Sequence, residues 1–363
     1  MVYIAYISFF FLGIQLMNVV LNSIFRQKIK FSAIDGNELI SVLIPARNEQ
    51  KNIAGLLSDL QKINSEHVEI IVFDDESTDK TAEIVMNFAK QDKRISLIQS
   101  DGLPSGWLGK NHACYRLAQK ATGQYFLFLD ADVRIDSSVI PQAVSYLKKY
   151  KLGLLSVFPT QVQKSFGENV SVPVMNYILL TLLPLIFVRI SPFASHSVAN
   201  GQFMLFDALT YKNNEPHKLF KNCIAEDIVI ARFFKKQKIK IACLTGEKRI
   251  RCRMYQSYTE AINGFSKNVF MFFGNMPVLA VLFWLFSAFG FIPVLFAFPQ
   301  YLSFYFLILA IILILYSTSS KQNPFRNVAL FPFQMLFLLS IIKNAFLMKK
   351  YNKTEWKERK IYS

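Results

Sequence analysis

The chain has 363 residues, of which 52% are hydrophobic and only 18% charged, and its formal net charge is +16. Because soluble domains carry about 25% charged residues, this composition excludes a purely soluble protein and predicts that part of the chain enters a membrane. The cations cluster beside apolar segments (Arg26 to Lys30, Arg249 to Arg253, Lys349 to Lys360), which favours attraction to anionic lipid head groups over nucleic-acid binding.

The first apolar segment runs from Val2 to Leu21, and the first charged residue is Arg26. It lacks the basic start and small-residue cleavage site of a secretory signal, so we interpret residues 1–25 as a transmembrane anchor. The cations that follow it place the next domain in the cytosol by the positive-inside rule. Four cysteines without disulfide or zinc spacing fit that reducing compartment: Cys114, Cys223, Cys243 and Cys252.

From Leu39 onward, short β-rich apolar runs alternate with helix-like stretches. The runs are LISVLIPA, VEIIVFDD, ISLIQSD and YFLFLDAD, and the helices are expected from about Lys51, from about Asp79 and across Asn111 to Lys120. This rhythm predicts an α/β domain with a mostly parallel sheet, which we place at residues 38–268. Neither a dinucleotide-binding nor a P-loop glycine motif is present, so the polar residues at the strand ends must carry the chemistry.

Two carboxylates, Asp74 and Asp75, close the second run and precede Ser77, Thr78 and Asp79. Helix capping explains the latter three residues. It does not require two carboxylates at the end of a buried strand, where desolvation is costly without a partner. An NH group of a bound pyrimidine base would be such a partner.

The fourth run ends in Asp130-Ala131-Asp132, whose alternation points both carboxylates to one side of an extended segment. Mg²⁺ or Mn²⁺ uses one or two carboxylates and completes its shell with substrate phosphates, which this motif would allow. By itself the motif is common in loops.

Glu226-Asp227 precedes the amphipathic run IVIARFFKK. The pair is explained equally by a helix start, where acidic residues favour the helix dipole, and by a general base that takes the acceptor's proton. Lys110 in GWLGKNHA is either a solvated lysine or a neutralising contact for donor phosphate. The sequence assigns no chemistry to His112.

Further apolar segments follow within and after the α/β region. The segment at residues 170–188 contains two prolines and would divide the α/β domain if it crossed, so we expect it to be interfacial or re-entrant. No charge occurs between Lys267 and Lys321, which predicts membrane helices over residues 276–348. Three later spans would put the basic tail, residues 349–363, outside the cell against the positive-inside rule, so either the last segment is interfacial or the tail is an exception.

The ordered set SVLIPARNE, IVFDDESTD, FLDAD and AEDIV resembles the family 2 glycosyltransferases with a GT-A fold, over about Leu39 to Asn268. The resemblance implies a Rossmann-like sheet, a metal on Asp132 and a catalytic base at Asp227. It also implies donor contacts from Pro45, Ala46, Arg47, Glu49, Asp75 and Asp130, to which we add Lys110.

Finer features look like the membrane glucosyltransferases that modify carotenoids or hopanoid-type lipids: GWLGKNHA, ANGQF and RCRMYQSYTEAINGFSKN. The Q-x-x-R-W element of processive polysaccharide synthases has no clear match, which favours transfer of a single sugar. We expect acceptor contacts or interface roles at Gly201, Gln202, Glu226, Arg253 and Lys267.

These features predict an inverting hexosyltransferase in the cell membrane with its catalytic domain on the cytoplasmic side. The expected donor is a UDP-sugar, with glucose first, and the expected acceptor is a membrane lipid-like molecule such as a carotenoid. The alternatives are a polyprenyl-phosphate glycosyltransferase and a catalytically silent protein that binds nucleotide or lipid. Neither nucleic acid nor an obligate protein partner is expected.

Overall fold

The computed structural model describes residues 1–29, 38–63, 66–136, 138–351, 355–356 and 359–360. Lys30 of the predicted basic cluster, and residues 352–354, 357–358 and 361–363 of the predicted basic tail, lie outside the described residues. The chain begins with a long apolar helix, α1 (Val2–Ile24), and an α/β region follows it.

An eight-stranded mixed sheet forms the centre of the α/β region. Its strands are β1 (Ile40–Ala46), β2 (Val68–Asp74), β3 (Ile95–Gln99), β4 (Tyr125–Leu129), β5 (Val133–Ile135), β6 (Leu154–Gln161), β7 (Phe203–Asp207) and β8 (Ile241–Cys252), in the order β3-β2-β1-β4-β7-β6-β8-β5. The first four strands are parallel, whereas β7 runs antiparallel to β4 and β6, and β5 antiparallel to β8. The predicted α/β class with a mostly parallel sheet is confirmed.

The sheet is buried on both faces, as the continuous apolar runs require. Along β1, Val42 and Ile44 belong to one hydrophobic cluster and Leu43 to the other. The helices that connect the first strands are α2 (Ile53–Gln61), α3 (Thr81–Gln91), α4 (Gly109–Lys120) and α5 (Val139–Tyr150). This arrangement leaves the carboxyl ends of the parallel strands at one edge, where the polar residues lie.

The predicted interfacial segment, residues 170–188, is broken into short helices. They are α6 (Phe166–Ser171), α7 (Pro173–Leu182) and α8 (Ile186–Ile190), and Ser165 with Glu168 forms a capping box at the start of α6. The longest, α7, has 10 residues. At 1.5 Å per residue it measures about 15 Å, which is half of a bilayer's hydrocarbon thickness.

Helix α1 is fastened to α7 by amide side chains. Asn18 Nδ2 donates to the Thr181 carbonyl at 2.7 Å, and Asn22 Nδ2 donates to the carbonyls of Leu180 and Leu183 at 3.0 Å. The Leu185 N–H donates to Asn22 Oδ1 at 2.7 Å. Asn22 therefore binds the backbone groups at the end of α7, so the predicted anchor and the predicted interfacial segment form one packed unit.

The rest of the α/β region consists of α9 (Ala208–Asn214), α10 (Pro216–Leu219), α11 (Glu226–Lys236), α12 (Tyr258–Ser266) and a 3-10 helix at Val269–Phe273. The chain ends with α13 (Pro277–Phe289), α14 (Phe291–Ala297), α15 (Leu302–Ser319), α16 (Pro324–Tyr351) and two-residue strands at Glu355–Trp356 and Arg359–Lys360.

Three helices of the described residues are long and apolar enough to cross a membrane: Val2–Ile24, Pro299–Ser319 and Pro324–Lys350. The bent pair α13–α14 would make a fourth, with an angle of 52° between its halves. The bend falls at Gly290, where a Cβ atom would lie 2.6 Å from Tyr305 Oη. The division into anchor, cytosolic domain and membrane helices at the predicted boundaries stays a prediction.

Candidate active site

The end of β1 and the loop after it contact the end of β2. Pro45 and Ala46 end β1 beside β2, and the Asp75 N–H donates to the Ala46 carbonyl at 2.8 Å. The Arg47 guanidinium donates to the backbone carbonyl of Asp75 and lies 4.0 Å from its fully buried carboxylate. The structure thus brings together four predicted donor residues at the carboxyl edge of the sheet.

Asp130 and Asp132 lie in a turn between β4 and β5. The Val133 N–H donates to the Asp130 carbonyl at 3.1 Å. The prediction of an extended segment is therefore wrong, because the chain must turn here for β5 to reach β8 at the edge of the sheet. Asp132 keeps a buried Oδ1 atom that has no hydrogen-bond partner among the described residues.

Lys110, at the start of α4, reaches the same turn. Its Nζ lies 2.8 Å from Asp130 Oδ1 and 3.6 Å from Glu226 Oε1. Burial alone would lower the pKa of Lys110, but the two carboxylates hold it well above its usual value. Lys110 is therefore a fixed positive charge between two acidic groups and not a solvated lysine.

Glu226 and Asp227 open α11 and face the segment before β7. The Gly201 N–H donates to Asp227 Oδ2 at 2.9 Å, and the Ile228 N–H donates to Oδ1 at 2.8 Å. Burial raises the pKa of Asp227 despite these hydrogen bonds. Burial and the charge of Asp227 raise the pKa of Glu226 to about 7, although the positive charge of Lys110 acts in the opposite direction. A carboxylate with a raised pKa is a stronger base, so Asp227 has the environment of a proton acceptor as well as a position at a helix start.

Gly201 lies between these groups. A Cβ atom at this position would lie 3.1 Å from Lys110 Nζ, 3.4 Å from Glu226 Oε1 and 3.6 Å from Asp227 Oδ2. The predicted residues Lys110, Asp130, Gly201, Glu226 and Asp227 therefore form one group, which we call the acidic cluster. A larger residue at position 201 would press on the cluster.

Three predicted acceptor residues lie beside or outside the acidic cluster. The carbonyl of the buried Gln202 accepts from the Asp130 N–H at 3.3 Å. Arg253 binds the buried Glu168 of α6 at 2.7 Å and 2.9 Å, so it secures α6. Lys267 follows the last residue of α12.

The residues around Asp132 fit a divalent cation in part. Burial, with Asp130 and Glu49 as further causes, raises the pKa of Asp132 to about 7, which shows that negative groups converge there. A cation would relieve this repulsion, and the partnerless Oδ1 of Asp132 is a suitable ligand. No group of three His, Cys, Asp or Glu side chains that could hold a metal occurs in the described part of the chain, so substrate oxygens would have to complete the shell.

Sequence reasoning missed three residues at this edge. Asn111 Nδ2 donates to the carbonyls of Phe220 at 2.9 Å and Cys223 at 3.0 Å, which fixes the loop leading to α11. The Cys252 thiol faces Asp132 and accepts from Gln202 Nε2 at 2.9 Å. His112 packs against Phe73 and Trp107, and its Nδ1 is buried without a partner among the described residues. The GWLGKNHA motif was the available signal for Asn111 and His112, whereas nothing in the spacing indicated Cys252.

Residues 41–207 match the model of the family described as Glycosyl transferase family 2. The chain is 29% identical over 239 residues to the 4,4'-diaponeurosporenoate glycosyltransferase of Staphylococcus haemolyticus (strain JCSC1435), an alignment that covers 63% of this chain and 60% of the relative. The protein of the same name from Staphylococcus aureus (strain USA300) is 27% identical over 271 residues, covering 72% of this chain and 70% of the relative. The chain thus spans about three fifths of the first relative's length.

Among solved structures, the fold resembles mannosyltransferase PcManGT from Pyrobaculum calidifontis, solved in complex with GDP-Man and Mn²⁺. The TM-score is 0.57 at 14% sequence identity, and the superposition covers 97% of this chain and 100% of that one. At this identity the likeness concerns the fold alone.

The sheet, its acidic edge and the family match define residues 41–207 as a family 2 glycosyltransferase domain with a GT-A-type fold. Its sequence relatives are carotenoid glycosyltransferases. The predicted resemblance to the family 2 glycosyltransferases is confirmed, and the fourth motif, AEDIV, lies beyond the matched residues.

Proposed function

We propose that the protein is an inverting glycosyltransferase that moves one sugar from a nucleotide-diphosphate donor to a carotenoid or other isoprenoid lipid. The convergence of Lys110, Asp130, Glu226 and Asp227 at the carboxyl edge of the sheet carries this proposal. The relatives named for 4,4'-diaponeurosporenoate support the acceptor class.

The donor would lie along the ends of β1, β2 and β4. Asp75 would bind the base, and Arg47 holds the backbone that carries Asp75. Lys110 offers a positive charge for the diphosphate, and Asp132 would hold Mg²⁺ or Mn²⁺, which would stabilise the leaving diphosphate when bound. A UDP-sugar, with glucose first, is the donor to test.

Asp227 would take the proton of the attacking acceptor oxygen. The Gly201 N–H fixes one carboxylate oxygen of Asp227, and burial makes the group more basic than an exposed aspartate. Because no second carboxylate is assigned as a nucleophile, transfer would be a single displacement with inversion at the anomeric carbon.

The acceptor would come from the membrane. Helices α6 and α12 connect the end of β8 to the apolar helix α16, since Arg253 binds Glu168 of α6 and Tyr258 Oη of α12 lies 3.4 Å from Ser340 Oγ. A lipid entering beside these elements would stay in contact with the bilayer while its polar end reached Asp227. The catalytic domain would then lie at the cytoplasmic surface, where nucleotide-sugars are made.

The first test measures release of nucleoside diphosphate by detergent-solubilised protein with Mg²⁺ or Mn²⁺, a panel of nucleotide-sugars and a carotenoid-containing lipid extract. We expect release that needs one donor, a divalent cation and the lipid. Asp227→Asn should reduce turnover by about 10²–10⁴-fold, the usual contribution of a general base. Asp136→Asn, an exposed aspartate before α5, is the matched control and should keep full activity.

The product identifies the reaction. A glycosylated lipid whose sugar has the opposite anomeric configuration to the donor supports the proposal, whereas retained configuration contradicts inversion. A product formed only on a polyprenyl phosphate would establish that alternative. Equal release by the wild type and Asp227→Asn would remove Asp227 from the mechanism.

A further inference from the structure

Four cations from separate parts of the sequence meet where α1 and α15 end. Arg26 and Lys28 follow α1, Lys248 lies in β8, and Lys321 follows α15. Arg26, Gly246 and Ser319 are in contact, and Lys28, Lys248 and Lys321 each lie two residues further along the chain from one of them. In agreement with this arrangement, the charge of Arg26, together with burial, Lys248 and Lys28, lowers the pKa of Lys321. Within the described part of the chain, the carboxylate of Glu247 acts on Lys321 and Arg26, and it is bound to Arg249 at 2.9 Å. We call the four residues the basic site.

Arg26 of the basic site lines a small open cleft of about 10 Å³ between the helix ends and β8, and the three lysines lie close in sequence to the residues of its walls. Arg26, Phe25, Thr245 and Ser319 are among the residues that line this cleft. Arg26 Nη2 donates to the Gly246 carbonyl at 3.0 Å, while Arg26 Nε is buried and lacks a hydrogen-bond partner within the described part of the chain. A guanidinium N–H that is desolvated and unpaired is costly, so a hydrogen bond to an oxygen acceptor would stabilise it.

The backbone is shaped to bring these elements together. Gly246 has a φ of +71°, and a Cβ atom there would lie 2.2 Å from the Ser319 carbonyl oxygen and 2.4 Å from Arg26 Nη2. Only glycine allows β8, the end of α15 and Arg26 to approach so closely. The basic site is therefore part of the fold and not a chance meeting of long side chains.

The surroundings indicate a lipid. Helices α1 and α15 are both candidate membrane spans and both end here, and the adjacent Ile24 and Phe25 side chains are 68% and 52% exposed. Lipid phosphates lie at the level where such helices leave the bilayer, and acyl chains would cover the two exposed side chains. A free phosphate ion would use the cations but not the apolar residues.

We propose that Arg26, Lys28, Lys248 and Lys321 bind the phosphate of an anionic membrane lipid, which links α1 and α15 to the catalytic sheet. Along β8, Thr245 lines the cleft and Cys252 faces Asp132, so the two sites are separated by seven residues, or roughly 20 Å of strand. The lipid is a structural ligand and does not depend on the proposed reaction.

The test compares thermal unfolding of delipidated protein in a neutral detergent after addition of phosphatidylglycerol, phosphatidylcholine or inorganic phosphate. At saturating lipid we expect phosphatidylglycerol to raise the wild-type Tm by about 5 °C and phosphatidylcholine to have little effect. The variant Lys28→Gln/Lys248→Gln/Lys321→Gln keeps Arg26 in place and should lose most of this rise. The control Lys51→Gln/Lys90→Gln/Lys120→Gln makes the same charge change at exposed positions and should respond as the wild type does.

Native mass spectrometry gives a second measurement that does not depend on stability. We expect phosphatidylglycerol to remain bound to the wild type and the control at lower added lipid than to the triple variant, and Lys321→Gln alone to fall between them. Equal binding by all proteins, or equal stabilisation by phosphatidylcholine, would overturn the proposal. Stabilisation by inorganic phosphate as strong as by phosphatidylglycerol would overturn the lipid assignment in favour of a free anion.

Discussion

The pH dependence of the reaction should be set by the carboxyl group of Asp227. A base works only when deprotonated, and burial raises the pKa of Asp227, so activity should fall with decreasing pH at a higher pH than an exposed aspartate would give. The neighbouring Glu226, whose pKa is raised to about 7, titrates with it. Removing the negative charge of Glu226 should lower the pKa of Asp227.

We therefore expect Glu226→Gln to move the acid limb of the kcat/KM profile to lower pH. Profiles measured with the donor identified above would show the shift. Glu83→Gln, at an exposed position of α3, should leave the limb where the wild type has it. An unmoved limb in Glu226→Gln would mean that another group sets the acid side.

Gly201 gives a steric test of the acidic cluster. In Gly201→Ala the new methyl group would lie 3.1 Å from Lys110 Nζ, so the ammonium group must shift by a few tenths of an ångström. Small displacements of positioned groups are costly for rate, and we expect turnover to fall about tenfold with an unchanged Tm. Gly13→Ala is the matched control, because no atom lies within 4 Å of a Cβ there. Full activity in Gly201→Ala would show that the cluster tolerates the shift.

A single residue can be singled out from the sequence when the reason for its presence lies within its own motif. Asp75 could be singled out because a carboxylate at a buried strand end needs a partner, whereas the role of Asp227 as a base came from the resemblance, and both roles stay predictions. Arg253 could not be singled out in this way, because its partner Glu168 lies 85 residues away and only the fold shows that the pair secures α6. Cys252 was missed for the same reason, since β5 and β8 pair across the sheet edge.

Among the elements, the junction of α1 and α7 depends on side chains that an apolar segment seldom carries. Asn22 makes three hydrogen bonds to backbone groups at the end of α7. Asn22→Leu would leave those groups unpaired in an apolar setting, and we expect a loss of about 1–3 kcal/mol in unfolding free energy.

Thermal unfolding in detergent would show this loss as a lower Tm. Met17→Leu is a suitable control, because Met17 lies on the same helix with 54% of its side chain exposed. Equal Tm values for Asn22→Leu and Met17→Leu would mean that lipid or water replaces the lost bonds.

The contacts of α16 bear on the topology that the sequence left open. Arg326 binds Asn169 of α6 at 2.9 Å, and Asn344 Nδ2 donates to Ser266 of α12 at 3.1 Å. Phe346 contacts Phe270 with 5.1 Å between ring centroids. Both ends of α16 thus contact the α/β region, as they would if α16 lay along the membrane surface.

We expect α16 to lie along the membrane surface and the basic tail to be cytoplasmic, in agreement with the positive-inside rule. In a Cys223→Ser background, Lys349→Cys should react with an impermeant maleimide only from the cytoplasmic side. Tyr3→Cys should react only from outside. The remaining cysteines are buried and should not interfere. Labelling of Lys349→Cys from outside would establish that α16 crosses.

For the molecule as a whole, periodicity predicted the α/β class and the apolar segments because these depend on local patterns. It did not predict the antiparallel β7 or the break of α13–α14 at Gly290, since both depend on neighbours distant in sequence. Hydropathy likewise identified α16 as apolar but not what it rests against.

The joint between α1 and α7 also has a consequence for biosynthesis. The partners of Asn18 and Asn22 lie 158–163 residues further along the chain. At a translation rate of about 5–20 residues per second, the ribosome reaches them roughly 8–30 s after α1 emerges. During that interval the amide side chains of the nascent anchor must form hydrogen bonds with other groups, such as lipid carbonyls, water or a chaperone. The first helix made is therefore among the last to reach its final contacts, and a shortened gene that omits it would remove the surface on which α7 is completed.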